Sequence, residues 1–185
     1  MPTDREYEAK IRAMGHPELL ALWDDIARGV TLGWDSGKAF EYLILRAFQI
    51  EEASVQYPYR TTVQEEIVEQ IDGAIHVDGL SAIVESKDLG DEHRVNVEPM
   101  AKLRNQLLRR PAATIGMIFS RTGFTEPALI LTQYLAPQTI LLWSGAEIEH
   151  VLKNKRFRKA LVVKYRMAVE RGQNDFDILS PGALP

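Results

Sequence analysis

Apolar positions recur every three or four residues through the first fifty positions of the chain and then change to a two-residue alternation. Residues 4–29 read as one or two helices broken near Gly15-His16-Pro17, with Leu19, Leu20, Leu22, Trp23 and Ile26 at helical spacing. Ser36 is placed to cap a further helix to about Gln49, along which Phe40, Leu43, Ile44, Ala47 and Phe48 form one stripe. A short strand at 55–59 and a polar link over 60–64 follow. Residues 67–77 and 80–87 then flank Asp78-Gly79, a strong hairpin signal. The rest alternates: a helix near 98–110 with Pro99 in its first turn, a strand at 114–120, a helix capped by Thr125, and a strand at 139–143. A last helix opens with the capping box formed by Ser144 and Glu147. This order predicts an α/β fold, a mixed central sheet flanked by helices. The expected organisation is a helical extension over 1–32, a core over 33–152, and a basic C-terminal helix with a loose tail over 153–185.

A two-residue loop at Asp78-Gly79 fixes the hairpin register. Val77 then opposes Leu80, Ile75 opposes Ala82 and Gly73 opposes Val84. One face collects Ile71, Gly73, Ile75, Val77, Leu80, Ala82 and Val84, and belongs against a core. The other carries Asp72, Ala74, His76, Ser81, Ile83, Glu85 and Lys87. On it Asp72 opposes Glu85, with Cβ atoms roughly 4.5–5.5 Å apart, where like charges repel. A bound divalent cation turns that repulsion into a site, and carboxylate oxygens suit Mg²⁺ or Mn²⁺. Lys87 projects from the same face, in reach of a phosphate bound beside the metal. Phosphodiester hydrolysis asks for this set: a Lewis acid, an activated water and a cation against the developing charge.

Hydrophobic residues make up 45% of the chain and charged residues 26%, the balance of a globular protein. There is no cysteine, which removes disulfides, thiolate metal sites and cysteine nucleophiles. The lack of cysteine also points to a reducing cytoplasm, and neither a signal peptide nor a bilayer span is expected from the charged N-terminus and the short apolar stretches. The net charge of −4 hides an asymmetry. Residues 1–100 hold 9 Lys/Arg against 20 Asp/Glu, a net of −11, and residues 101–185 hold 13 against 6, a net of +7. Such a split is a hint of a polyanion-binding face. The candidates for phosphate contacts are Lys102 and Gln106 on the polar face of the 98–110 helix, and Lys153, Lys155 and Arg156 in the basic run.

The segment Ile71-Asp72-Gly73, a turn, then Ile83-Val84-Glu85-Ser86-Lys87 resembles the PD-(D/E)xK nuclease signature, with Ile71 where the family's proline stands. Within that superfamily the chain resembles the Mrr-like restriction endonucleases. Gly37-Lys38-Ala39-Phe40-Glu41 matches their helix pattern, and Thr122-Gly123-Phe124-Thr125 follows an apolar strand as it does there. The resemblance covers roughly residues 33–152. It implies a restriction-endonuclease-like fold and a metal-dependent endonuclease acting on DNA. It also implies Asp72 and Glu85 as metal ligands with the Ser86 carbonyl as a third, Lys87 as the catalytic lysine and Glu41 as an accessory carboxylate. Cutting both strands of a duplex is simplest with two sites, which points to a homodimer.

Two other functions fit the same residues. One is a nucleic-acid-binding or assembly module without turnover, and the other is a structural protein in which the acids are merely salt-bridged. The segment 33–39 has a superficial likeness to a phosphate loop. Its first glycine is misplaced, and Ala39 stands where Mg²⁺ needs a hydroxyl. His76 sits near the turn, away from Asp72, and His93 falls in the loop after Lys87. Trp143 and Phe124 read as core.

Overall fold

The computed structural model describes residues 2–184, and for Val63 the backbone alone. Met1 and Pro185, the outermost residues of the expected extension and tail, lie outside the described residues. The chain runs α1 (Asp4–Arg12), α2 (His16–Ala27), α3 (Lys38–Ile50), β1 (Ser54–Gln56), β2 (Tyr59–Val63), β3 (Glu66–Ile71), β4 (Gly73–Val77) and β5 (Leu80–Lys87). It continues with α4 (Glu98–Leu107), β6 (Thr114–Ser120), α5 (Glu126–Thr132), β7 (Ile140–Ser144), α6 (Gly145–Asn154) and α7 (Phe157–Arg171). The main sheet has the order β1-β4-β5-β6-β7. Its β1/β4 and β4/β5 pairs are antiparallel, and β5, β6 and β7 are parallel.

Each face of the sheet is buried, as a sheet with parallel crossovers requires. On one face α1, α2, α3, α6 and α7 pack Ile11, Trp23, Phe40, Phe48, Ile148 and Phe157 against Ile75, Ala82, Val84, Met117, Phe119 and Trp143. On the other, α4 and α5 pack Met100, Leu103, Leu107 and Ala128 against Ile83, Ile118, Ile140 and Leu142. The first two helices therefore share one core with the sheet. Trp143 and Phe124 are buried, as their sequence context suggests. The helix at 38–50 is entered through Gly37 in the left-handed region and not through a Ser36 cap. Thr125 and Ser144 do occupy N-cap positions, and Ser144 forms the expected capping box with Glu147.

The hairpin register follows the turn. Gly73 pairs with Val84, Ile75 with Ala82 and Val77 with Leu80, around Asp78 and Gly79 at φ 52° and 78°. Upstream the structure differs from the sequence pattern. Residues 67–77 are not one strand, because the chain leaves the main sheet at Asp72. Residues 66–71 instead pair with 59–63, the stretch with the polar pattern of a link, as a separate two-stranded hairpin. The break also moves Ile71 off the face of Ile75 and Val84, into the cluster under α4.

The tail is held, not loose. Asn174 accepts a hydrogen bond from the Leu142 N–H through its carbonyl (3.0 Å), and its side chain donates to the Thr132 carbonyl (3.0 Å). Ile178 is buried, and its N–H donates to Glu147 Oε1 at 3.2 Å. Lys164, within the basic stretch of the sequence, is fully buried against Glu147 Oε1 at 2.6 Å and donates to the Leu142 and Phe176 carbonyls. The Asn174 carbonyl and the Lys164 ammonium thus satisfy the Leu142 N–H and carbonyl on β7, the last strand of the sheet among the described residues.

Candidate metal and phosphate site

Lys87, Ser120 and Ser144 stand side by side where the three parallel strands end. The carboxyl edge of parallel strands is where open α/β sheets bind ligands. Alternation along β5 sends Val84 to the α3 side and Ile83 to the α4 side, so Glu85 and Lys87 share the α4 side with Ile83. Asp72 lies one residue outside the β4–β5 ladder. Its Oδ2 accepts a hydrogen bond from the Ser86 N–H at 2.9 Å, which fixes the carboxylate beside the end of β5. The opposed pair read from the hairpin thus becomes a side chain laid across the neighbouring backbone.

Glu85 is 1% exposed, and its charge is met by two ammonium groups. Lys87 Nζ reaches Oε1 at 2.6 Å, and Lys102 Nζ on α4 donates to Oε1 and Oε2 at 3.0 and 2.8 Å. Glu41, one turn into α3, is also buried and pairs with Lys38 Nζ at 2.9 Å. Burial, with the Asp72 charge adding to it, pushes the Glu41 carboxyl up to about 7. Burial also raises Asp72, the Glu85 charge adds to this, and the Ser86 N–H works against it. For Lys87 burial alone would lower the proton affinity. The hydrogen bond and charge of Glu85, with the charges of Asp72 and Glu41, outweigh it and leave the ammonium above its ordinary value. Three carboxylates and three lysines thus interleave at one end of the sheet.

A divalent cation suits this donor set. Asp72 and Glu85 are hard oxygen donors, and burial together with the Glu85 charge raises the proton affinity of Asp72, a cost that a cation beside it would relieve. Among the described residues no three His, Asp or Glu side chains converge into a cage. A cation here would therefore have two carboxylates and complete its shell with backbone oxygen or water, the habit of Mg²⁺.

Beside Glu85, Lys87 and Lys102 opens a cavity of about 650 Å³, walled by the 89–98 segment and α4 and lined also by His93, Arg94 and Asn96. That wall is built, because Arg121 donates to Asp88 (2.5 Å), Asp91 (2.6 Å) and the Leu89 carbonyl (2.6 Å). Val95 bridges to Phe124, and Thr122 Oγ1 donates to the His93 carbonyl at 2.5 Å. Neither Arg121 nor Lys38 stood out in the sequence. The i, i+3 spacing of Lys38 and Glu41 is a legible signal, whereas nothing local reveals the partners of Arg121.

The phosphate-contact candidates separate. Lys102 is in the site. Gln106 is buried, and its amide donates to the Gln70 carbonyl at 3.3 Å, fastening β3 to α4. Lys153, Lys155 and Arg156 stand at the opposite end of the sheet. α6 carries the chain back from Ser144, and the neighbouring Arg158 pairs with Asp78 of the hairpin turn at 2.7 Å. Seven strand steps from Leu80 to Lys87 put that end about 23 Å from the site. Lys153 is paired with Glu149 at 2.5 Å, and Lys155 lines a second cavity with Arg158, Lys159 and Arg166. His76, bonded to Ser81 at 2.9 Å, is exposed near the turn.

The sheet order and the flanking helices define a restriction-endonuclease-like α/β fold. Solved structures with similar folds include the protein of unknown function AF1548, at TM-score 0.54 and 17% identity over 70% of this chain and 76% of that one. The DNA modification-dependent restriction endonuclease AspBHI matches at TM-score 0.51 and 15% identity, over 85% of this chain and 39% of that one. The MspJI restriction endonuclease, solved in complex with a 27-mer oligonucleotide, gives TM-score 0.45 and 15% identity, over 99% of this chain and 38% of that one. This chain spans well under half the length of the two endonucleases. No protein-family model and no curated protein matches it. No described helix is long and apolar enough to cross a membrane.

Proposed function

We propose that the chain is a Mg²⁺- or Mn²⁺-dependent endonuclease of the PD-(D/E)xK class, Mrr-like in type, which hydrolyses phosphodiester bonds of DNA. The observation that carries this reading is the meeting of Asp72, Glu85 and Lys87 at the carboxyl edge of the sheet, next to a cavity. AspBHI, a restriction endonuclease by its description, shares the fold and supports DNA as the substrate. Asp72 and Glu85 hold the cation, with the Ser86 carbonyl as a further oxygen. A divalent cation held there supplies a Lewis acid for the phosphate and acidifies a water. Lys87 keeps its proton, presents it to the phosphoryl oxygen and offsets the charge that develops there. Glu41, close to half-protonated at neutral pH, is placed to take a proton near Asp72. We place the protein in the cytoplasm, acting as a homodimer on duplex DNA.

The test is nicking of supercoiled plasmid in Mg²⁺ and in EDTA. The wild type nicks only with metal, and folded Lys87→Ala and Asp72→Asn proteins lose at least about a hundredfold in rate. Equal cleavage by the variants would sink the reading. The double pairing of Glu85 with Lys87 and Lys102 favours a second reading, a nucleic-acid-binding module without turnover. It predicts salt-dependent DNA binding and no nicking under any metal.

A further inference from the structure

Glu85 is nine-tenths and more buried, and three of its hydrogen-bonding positions are taken by two lysines from different elements. The two lysines are not equivalent. Lys87 is mounted on β5 and also faces the charges of Asp72 and Glu41. Lys102 comes from α4 across the cleft, its side chain is 46% exposed, and its ammonium is engaged by the two oxygens of Glu85. A divalent cation needs a carboxylate oxygen at roughly 2.0–2.1 Å. An ammonium nitrogen at 2.8 Å from Oε2 and 3.0 Å from Oε1 stands where that cation would approach. A doubly charged ion and a lysine that share one carboxylate also repel each other.

We propose that Lys102 is a built-in competitor for the divalent cation, one that holds Glu85 in the metal-free protein and swings into the adjacent cavity to meet a phosphate when metal and DNA bind. This rests on the metal-dependent reading of the site. The flexible four-carbon stem and the half-exposed position of Lys102 permit the movement, and the cavity it would enter is the one lined by His93, Arg94 and Asn96. Lys87 and Arg94 also line that cavity beside Glu85 and Glu98, so a DNA phosphate entering it meets cations and supplies the anion that Lys102 gives up. The metal frees the lysine for the phosphate and the phosphate draws it off the carboxylate, so metal and DNA bind cooperatively.

The experiment is titration calorimetry with Mn²⁺ alone, without DNA, on the wild type and on Lys102→Met, Lys102→Gln and Lys102→Arg proteins whose folding is checked by circular dichroism. The two neutral variants bind Mn²⁺ roughly tenfold tighter than the wild type, the scale of one charge-assisted hydrogen bond, and the arginine variant binds as the wild type does. In gel shifts with Mn²⁺ and a slowly hydrolysed phosphorothioate duplex the neutral variants hold DNA more weakly than the wild type, and equal binding overturns the phosphate contact. Equal or weaker Mn²⁺ binding by both neutral variants overturns the competitor role and leaves the nuclease reading standing. No Mn²⁺ binding by any of the four proteins overturns both.

Discussion

Glu41 carries a proton-binding constant set by where α3 begins. Its carboxyl is buried beside Asp72, and that burial takes it from 4.5 to about 7. A folded-state value above the unfolded one means the folded protein binds the extra proton. The stability that comes with that proton is fully present below about pH 4.5 and is lost as the pH rises to about 7. Glu41→Gln removes this dependence. The variant should equal the wild type near pH 4.5 and exceed it at pH 8 by about 1–3 kcal/mol in urea unfolding, the scale of one to two pKa units. A constant difference across that range would argue against a buried, proton-binding Glu41. At this scale the sequence marked acid and lysine positions and said little about their partners. Alternation along β5 puts Glu85 and Lys87 on one face, whereas Asp72, outside the ladder, is held beside them by its hydrogen bond from the Ser86 N–H. Lys102 was visible as a polar position, but its grip on Glu85 joins residues from separate elements and has no local signature.

Among the elements, the β4–β5 hairpin is the most legible, because Asp78-Gly79 fixes the turn and the turn fixes every facing pair. The break at Asp72 was not legible. The strand-like alternation at 67–77 continues through it, and the pairing of β2 with β3 takes the chain out of the sheet. The site depends on an equally silent feature, the close approach of α6 to the β6–α5 connection. A Cβ on Gly145 would lie 2.0 Å from the Arg121 carbonyl oxygen, a backbone atom that cannot step aside alone. Arg121 is also the residue that ties down the cavity wall at Asp88 and Asp91. Gly145→Ala should therefore cost about 2–4 kcal/mol in thermal or urea unfolding. It should also lower nicking by more than the lost folded fraction explains. A neutral Gly145→Ala would show that the two segments are not held in this contact.

Across the whole molecule, the halves of opposite charge do not form a single basic face at the site. The basic run of α6 and α7 lies at the far end of the sheet, and one of its members, Lys164, is inside the protein. Composition marked the C-terminal end of the chain, residues 172–185, as a loose tail, since Asn174 and Ile178 acquire their roles only against β7 and α6. Burial of the Lys164–Glu147 pair lowers the lysine's proton affinity, with the Glu147 charge working against that. Lys164→Met leaves Glu147 without its buried counter-charge and should destabilise the fold by about 3–5 kcal/mol, with the tail becoming sensitive to protease before the core does. A change under about 1 kcal/mol would show that the pair does not hold the tail. The site at the other end of the molecule turns on whether Asp72 and Glu85 share a divalent cation beside Lys87. Anomalous diffraction from crystals grown in Mn²⁺ reads this directly. The expected result is a peak within about 2.0–2.2 Å of a carboxylate oxygen of each residue, with Lys102 Nζ moved off Glu85. A map with no peak there at saturating Mn²⁺, and Lys102 still on Glu85, would contradict it.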